Sequence, residues 1–295
     1  MIGSRISAPL RLLAVAGAVL AFAGCAGDEE PAAGPAAGEE AAPPPGADFA
    51  HVHGLGVNPS DGALLIATHT GLFRAAPGSP SAQRVGDSQQ DVMGFTVVGA
   101  DRFLGSGHPD PRAGGPPNLG LIRSQDAGRE WQQVSLLGKT DFHVLRAAGR
   151  VVYGFDGSSG LLFVSRDGGR TWQERTPPAP LIDLAIDPGD DRRVVVATPD
   201  GLFSSPDGGK GWRPLDAQRV GLLAWSSDEA LYLVGGDGAV AASADQGRSW
   251  KDRGTIGGQP AAFVADADDL YAALADGTVS ASADGGRGWA VRARP

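Results

Sequence analysis

Ser165-Arg-Asp167-Gly-Gly169-Arg-Thr-Trp172 is one of five copies of a single pattern, S-x-D-x-G-x-x-W. The others are Ser124-Gln-Asp126-Ala-Gly128-Arg-Glu-Trp131, Ser205-Pro-Asp207-Gly-Gly209-Lys-Gly-Trp212, Ser243-Ala-Asp245-Gln-Gly247-Arg-Ser-Trp250 and Ser282-Ala-Asp284-Gly-Gly286-Arg-Gly-Trp289. The tryptophans recur roughly every 40 residues, the period of an array with one supersecondary unit per repeat.

Around each copy the sequence reads as four short strands separated by turn signals. In the repeat holding Trp172 the strands are His143-Val-Leu-Arg, Val151-Val-Tyr-Gly-Phe, Leu161-Leu-Phe-Val-Ser and Trp172-Gln-Glu-Arg. The same layout fits 181–215, 219–253 and 258–292, and also 91–136 with an insertion from Gly107 to Asn118. A sixth unit lacks the motif. His53-Gly-Leu-Gly-Val-Asn-Pro59 matches Ile182-Asp-Leu-Ala-Ile-Asp-Pro188, and Leu64 to Phe73 matches Val194 to Phe203. Ala75 stands where the motif serine would be. Six such units fill 49–295, and stacking them in a ring covers the two apolar faces each would otherwise expose. The expected fold is all-β, a six-bladed β-propeller.

The motif resembles the Asp-box, or bacterial neuraminidase repeat, of the glycosylhydrolase/sialidase-like superfamily. That resemblance implies a turn between the third and fourth strands of five blades. Serine and aspartate suit it because their side chains hydrogen-bond local N–H groups. Glycine accepts positive φ, and tryptophan fills the gap beside the next strand. Boxes spaced evenly round a ring cannot all serve one active site, so the motif is read as a structural staple. It also sets the phase of the chain. The boxes, with Arg129, Arg170, Lys210, Arg248 and Arg287, fall on one rim as solvated cations beside the box aspartates.

The N-terminus is of another kind. Arg5 and Arg11 flank an apolar run, Leu12 to Phe22, too short to span a bilayer, which ends at Ala23-Gly24-Cys25. It resembles a bacterial lipoprotein signal, with Cys25, the single cysteine, as the lipidated residue. Residues 26–48 are rich in Ala, Pro, Gly and acids and cannot bury a core, so they read as a disordered tether. The expectation is an extracytoplasmic propeller over 49–295, lipid-anchored to a bacterial cell membrane. The net charge of −9 argues against nucleic acid as a partner. One cysteine excludes an intramolecular disulfide and a CxxC metal site.

Chemistry is expected on the rim opposite the boxes. All five histidines, His51, His53, His69, His108 and His143, lie at strand ends of the first three units, and the phase places them all there. His51 and His53 are spaced to share one side of a strand. Imidazole is a good ligand for zinc or copper, so a transition-metal site is expected among these five. Asp110 and Asp141 are candidate ligands, outer acceptors or catalytic acids. The insertion 107–118 hangs from the same rim. The ligand is a small molecule, glycan or protein.

The resemblance to sialidases stops short of their chemistry. The arginine-bearing F-R-I-P-like segment is missing, and Leu72-Phe-Arg-Ala75 is only a partial echo of it. Tyr153, Tyr232 and Tyr271 sit at equivalent second-strand positions and read as core. Glu130, Glu174 and Glu229 fall on the box rim. The alternative to a binding or assembly module is therefore a glycoside hydrolase using rim aspartates, which needs a carboxylate pair roughly 5–9 Å apart.

Overall fold

The computed structural model describes residues 51–227 and 230–295. The signal reading (1–25, with Cys25), the tether (26–48), the start of the propeller at 49 and Glu229 lie outside the described residues. The described chain is all-β and forms six four-stranded antiparallel sheets. Blade one holds β1 (Val52–Val57), β2 (Leu64–Thr68), β3 (Gly71–Ala75) and β4 (Ala82–Arg84). Blade two holds β5 (Asp91–Gly99), β6 (Arg102–His108), β7 (Leu121–Ser124) and β8 (Gln132–Ser135). Blade three holds β9 (Phe142–Ala148), β10 (Val151–Asp156), β11 (Leu161–Ser165) and β12 (Gln173–Arg175). Blade four holds β13 (Asp183–Asp187), β14 (Asp190–Thr198), β15 (Gly201–Ser205) and β16 (Arg213–Asp216). Blade five holds β17 (Leu222–Trp225), β18 (Leu231–Val234), β19 (Ala239–Ser243) and β20 (Lys251–Thr255). Blade six holds β21 (Pro260–Asp266), β22 (Asp269–Leu274), β23 (Val279–Ser282) and β24 (Ala290–Ala293).

The first strand of every blade packs on the first strand of the next, and β21 packs on β1, which closes a ring. The hydrophobic pattern follows radial position. Second strands are covered on both faces, so Leu64–Thr68 and Val151–Asp156 are buried throughout, and their sequences are near-continuous apolar runs. Fourth strands lie outside and are mostly exposed. The core is divided into six clusters, one per blade interface.

Each motif turn is stapled alike. In blade three Ser165 Oγ donates to Asp167 Oδ1 (2.8 Å) and accepts from the Gly169 N–H (2.8 Å), while Asp167 Oδ1 accepts from the Thr171 N–H (2.9 Å). Gly169 sits at φ +86°, and a Cβ there would strike Leu121 of the preceding blade. The tryptophan reaches that blade too. Trp172 packs against Phe142 and Phe163, and its Nε1–H donates to Ser135 Oγ (2.9 Å) on β8. Trp131, Trp212, Trp250 and Trp289 join the clusters of their own backward interfaces. The basic residues do not pair with the box carboxylates: Arg129, Arg170 and Arg287 donate to the backbone carbonyls of Asp126, Asp167 and Asp284. Tyr153 is buried, and its hydroxyl donates to the Asp191 carbonyl.

Blade one ends β3 at buried Ala75, and its interface with blade six holds no motif tryptophan. Arg292 of β24 takes over this joint. Its guanidinium donates to the carbonyls of Ala75 (3.2 Å), Ala76 (2.9 Å) and Ser79 (2.8 Å), and the Arg294 N–H donates to Pro80 O (3.0 Å). Arg292→Ala is expected to cost about 2–3 kcal/mol from the loss of charge-assisted bonds. Ser165→Ala, which orphans a buried N–H, is expected to cost about 1–3 kcal/mol. Urea midpoints at constant slope measure both.

Candidate metal and ligand site

The site is built by irregularities in the first strands. The β1–β2 register shifts between Val52 and Gly54, which leaves His53 as the extra residue. The same shift in β5 leaves Met93, in β9 His143 and in β21 Ala261. A bulge turns a side chain out of the ladder, and these four line one cavity of about 200 Å³ at the mouth of the central channel. Ile182 and Leu222, from blades four and five, complete the wall. Arg146 of blade three and Asp183 of blade four also line it, paired with each other. His51 stands just before β1 at φ +60°. A Cβ on Gly157 would come within 2.9 Å of His143 Nε2, so glycine there leaves room for the imidazole.

Two carboxylates organise four of the five imidazoles. Asp91, at the start of β5, lies 2.9 Å from His69 Nδ1 through Oδ2 and 3.7 Å from His53 Nε2 through Oδ1. The His53 ring meets His69 edge-on at 4.2 Å, and His51 lies 5.4 Å from His69. Asp141, just before β9, lies 2.8 Å from His143 Nε2 and 3.4 Å from His108 Nε2. His108 Nδ1–H donates to the Pro117 carbonyl (2.9 Å), fixing the tautomer of the neutral ring. Asp91 was not among the sequence candidates. Its signal was available, since it opens a first strand on the same rim as His53 and His143.

One contact in this group is unusual. His53 Nε2 and Asp91 Oδ1 are both buried, and neither has a hydrogen-bond partner among the described residues. At 3.7 Å they are too far apart to bond each other. Two ligands of a tetrahedral zinc-like ion, with bonds of ~2.0–2.1 Å, stand roughly 3.3 Å apart. One donor atom each from His53, His69 and Asp91 lies within 4.8 Å of the other two. The set offers two imidazoles and one carboxylate, so positions on a bound ion remain for an outside ligand. Burial pushes the His53 pKa down to about 4; the His69 charge adds to the shift and Asp91 opposes it. The ring is therefore neutral at pH 7, the form that binds metal. His143 goes the other way, held above its ordinary value chiefly by the hydrogen bond to Asp141.

Three further rim aspartates are otherwise engaged. Asp110 is gripped by Arg112 (2.9 and 2.6 Å) and by the Gln89 N–H (2.8 Å), which lashes the insertion to the link between blades one and two. Those bonds hold its carboxyl well below the usual range, which favours a carboxylate over a proton donor. Asp156 accepts from the Asp141 N–H, Ser158 and Ser159 in a turn. Asp183 is buried and ties three blades together, accepting from Arg146 (2.7 Å), Leu184 N–H (2.8 Å) and Leu223 N–H (2.9 Å).

No family model matches the sequence. Among curated proteins the chain is 27% identical over 156 residues to the Photosystem II assembly protein Ycf48 of Thermosynechococcus vestitus, covering 50% of this chain and 45% of that protein. It is 28% identical over 174 residues to the dispase autolysis-inducing protein of Streptomyces mobaraensis, covering 58% and 41%. The matched stretch spans less than half the length of either relative. Among solved structures, the GH74 xyloglucanase of Xanthomonas campestris superposes with a TM-score of 0.58 at 21% identity, over 83% of this chain and 45% of that one. YCF48 from Cyanidioschyzon merolae gives 0.52 at 15% identity, over 84% and 86%. YCF48 bound to D1 peptide gives 0.52 at 14% identity, over 83% of each chain. These likenesses show the β-propeller fold.

The two histidine shifts give opposite pH signs in chelator-stripped protein. His53 has a lowered folded pKa, so its contribution is complete above the ordinary 6.5 and is lost as pH falls toward 4. The loss is at most about 3 kcal/mol. His143 has a raised folded pKa, so its contribution is complete below the ordinary value and is lost as pH rises through the folded one. His53→Gln is expected to flatten the acid limb of urea midpoint against pH, and Asp141→Asn the neutral limb.

Proposed function

We propose that this chain is a membrane-tethered extracytoplasmic propeller that acts as a binding or assembly module, with a transition-metal site at His53, His69 and Asp91. The reading rests on the unpartnered pair, His53 Nε2 and Asp91 Oδ1. Two buried polar atoms facing each other at 3.7 Å without a bond are costly to bury, and a zinc or copper ion between them removes that cost. His51 packs beside His69, and His108 and His143 gather on Asp141, so the same rim would present further polar groups to a ligand. The motif turns belong, on their sequence, to the Asp-box type. Cys25 supplies the lipid anchor, and residues 26–48 hold the ring clear of the membrane.

The relatives support a binding role. One is named as an assembly protein, and a propeller of this fold has been captured with a peptide. Metal analysis after reconstitution with zinc or copper is the direct test. His53→Ala with His69→Ala is expected to weaken binding by at least about 100-fold, beyond what loss of an outer partner produces. Unchanged affinity rejects the site. For the tether, Cys25→Ser is expected to move the protein from the membrane fraction to the soluble one. A glycan hydrolysed by the wild type and left intact by Asp141→Ala would replace the binding reading with the glycosidase one.

A further inference from the structure

Six residues of the cavity wall, His53, Met93, His143, Ile182, Leu222 and Ala261, lie on or beside the six first strands. Three of them carry donor atoms: His53, Met93 and His143, in consecutive blades. Met93 is half-buried, and it is the single methionine among the described residues. A thioether at this position has a plain alternative use, since methionine fills irregular gaps. Yet the place it fills is the wall between two imidazoles, in a cavity open enough to hold an ion. His53 and His143 line the same cavity, on the blades either side of the one that carries Met93.

The donor set at this mouth has two chemically different faces. His69 and Asp91 present nitrogen and carboxylate oxygen, which suit zinc or copper(II). Met93 presents sulfur, which with imidazole suits copper(I) and contributes little to zinc. His53 belongs to both faces. We infer that Met93, with His53 and His143, makes the channel mouth a copper(I) site, so that the centre discriminates copper from zinc by its one soft ligand.

This inference rests on the metal reading above, and the two fail differently. Cu(I) affinity is measured anaerobically by competition with a bathocuproine chelator, and Zn(II) affinity by competition with a chromophoric chelator, for wild type, Met93→Leu and His53→Ala. Met93→Leu keeps volume and apolar character, so it is expected to fold; retention of the wild-type thermal midpoint checks this. Cu(I) binding is expected to weaken about 10–100-fold in Met93→Leu, the size of change that even outer partners of a metal produce. Zn(II) binding is expected to stay unchanged there, and both are expected to fall in His53→Ala. Equal Cu(I) affinity in wild type and Met93→Leu overturns the soft-ligand inference while leaving the metal reading intact. A parallel loss of both metals in Met93→Leu also overturns it, because sulfur would then be acting through packing. Wild type that binds neither ion overturns both.

Discussion

A four-stranded blade has two apolar faces and cannot cover either by itself. Every feature of this molecule follows from that constraint. The second strands are buried on both sides only because neighbouring blades press on them, and the ring is the arrangement in which no face is left over. The burial of Leu64 to Thr68 is therefore a property of three blades together. The motif turns serve the same end. Serine and aspartate hold the turn so that the tryptophan of one blade enters the core of the blade before it.

The site uses the one part of each blade that the packing does not need. At the start of a first strand the ladder loses its register, and the freed residue turns into the channel. Blades one, two, three and six show this shift, and the residue is His53, Met93, His143 and Ala261 in turn. Chemistry is added by changing a side chain at a fixed place on a rigid scaffold, with the strand below unaltered. The carboxylates Asp91 and Asp141 then draw His53 and His69, and His108 and His143, into two groups.

Much of this was legible in the residues. The motif period and the sixth, motif-less unit specify the blade number, because Ala75 and Ser165 end the same strand. The strand phase also put all five histidines on one rim. What could not be read was which of them share a partner. Asp91 could be placed on the histidine rim from its strand position, but only the fold carries it to His53 and His69 of the neighbouring blade. Asp110 looked equally suitable, being beside His108 in sequence, but a guanidinium two residues away captures it. The bulges left no trace in the hydrophobic pattern, since an extra residue in a short strand resembles an ordinary shift in strand boundary.

Blade one has a fastener at each end, and the two are of different kinds. At the box rim the Arg292 guanidinium clasps three carbonyls where other blades have a tryptophan. At the opposite rim its histidines meet Asp91 of blade two. The clasp is polar and half-buried, so it is the joint at which water can compete for the bonds. The ligands sit on the other side of the blade, across the joint that Trp131 packs. Closing the ring and gathering the histidines are thus tasks of opposite ends of one blade.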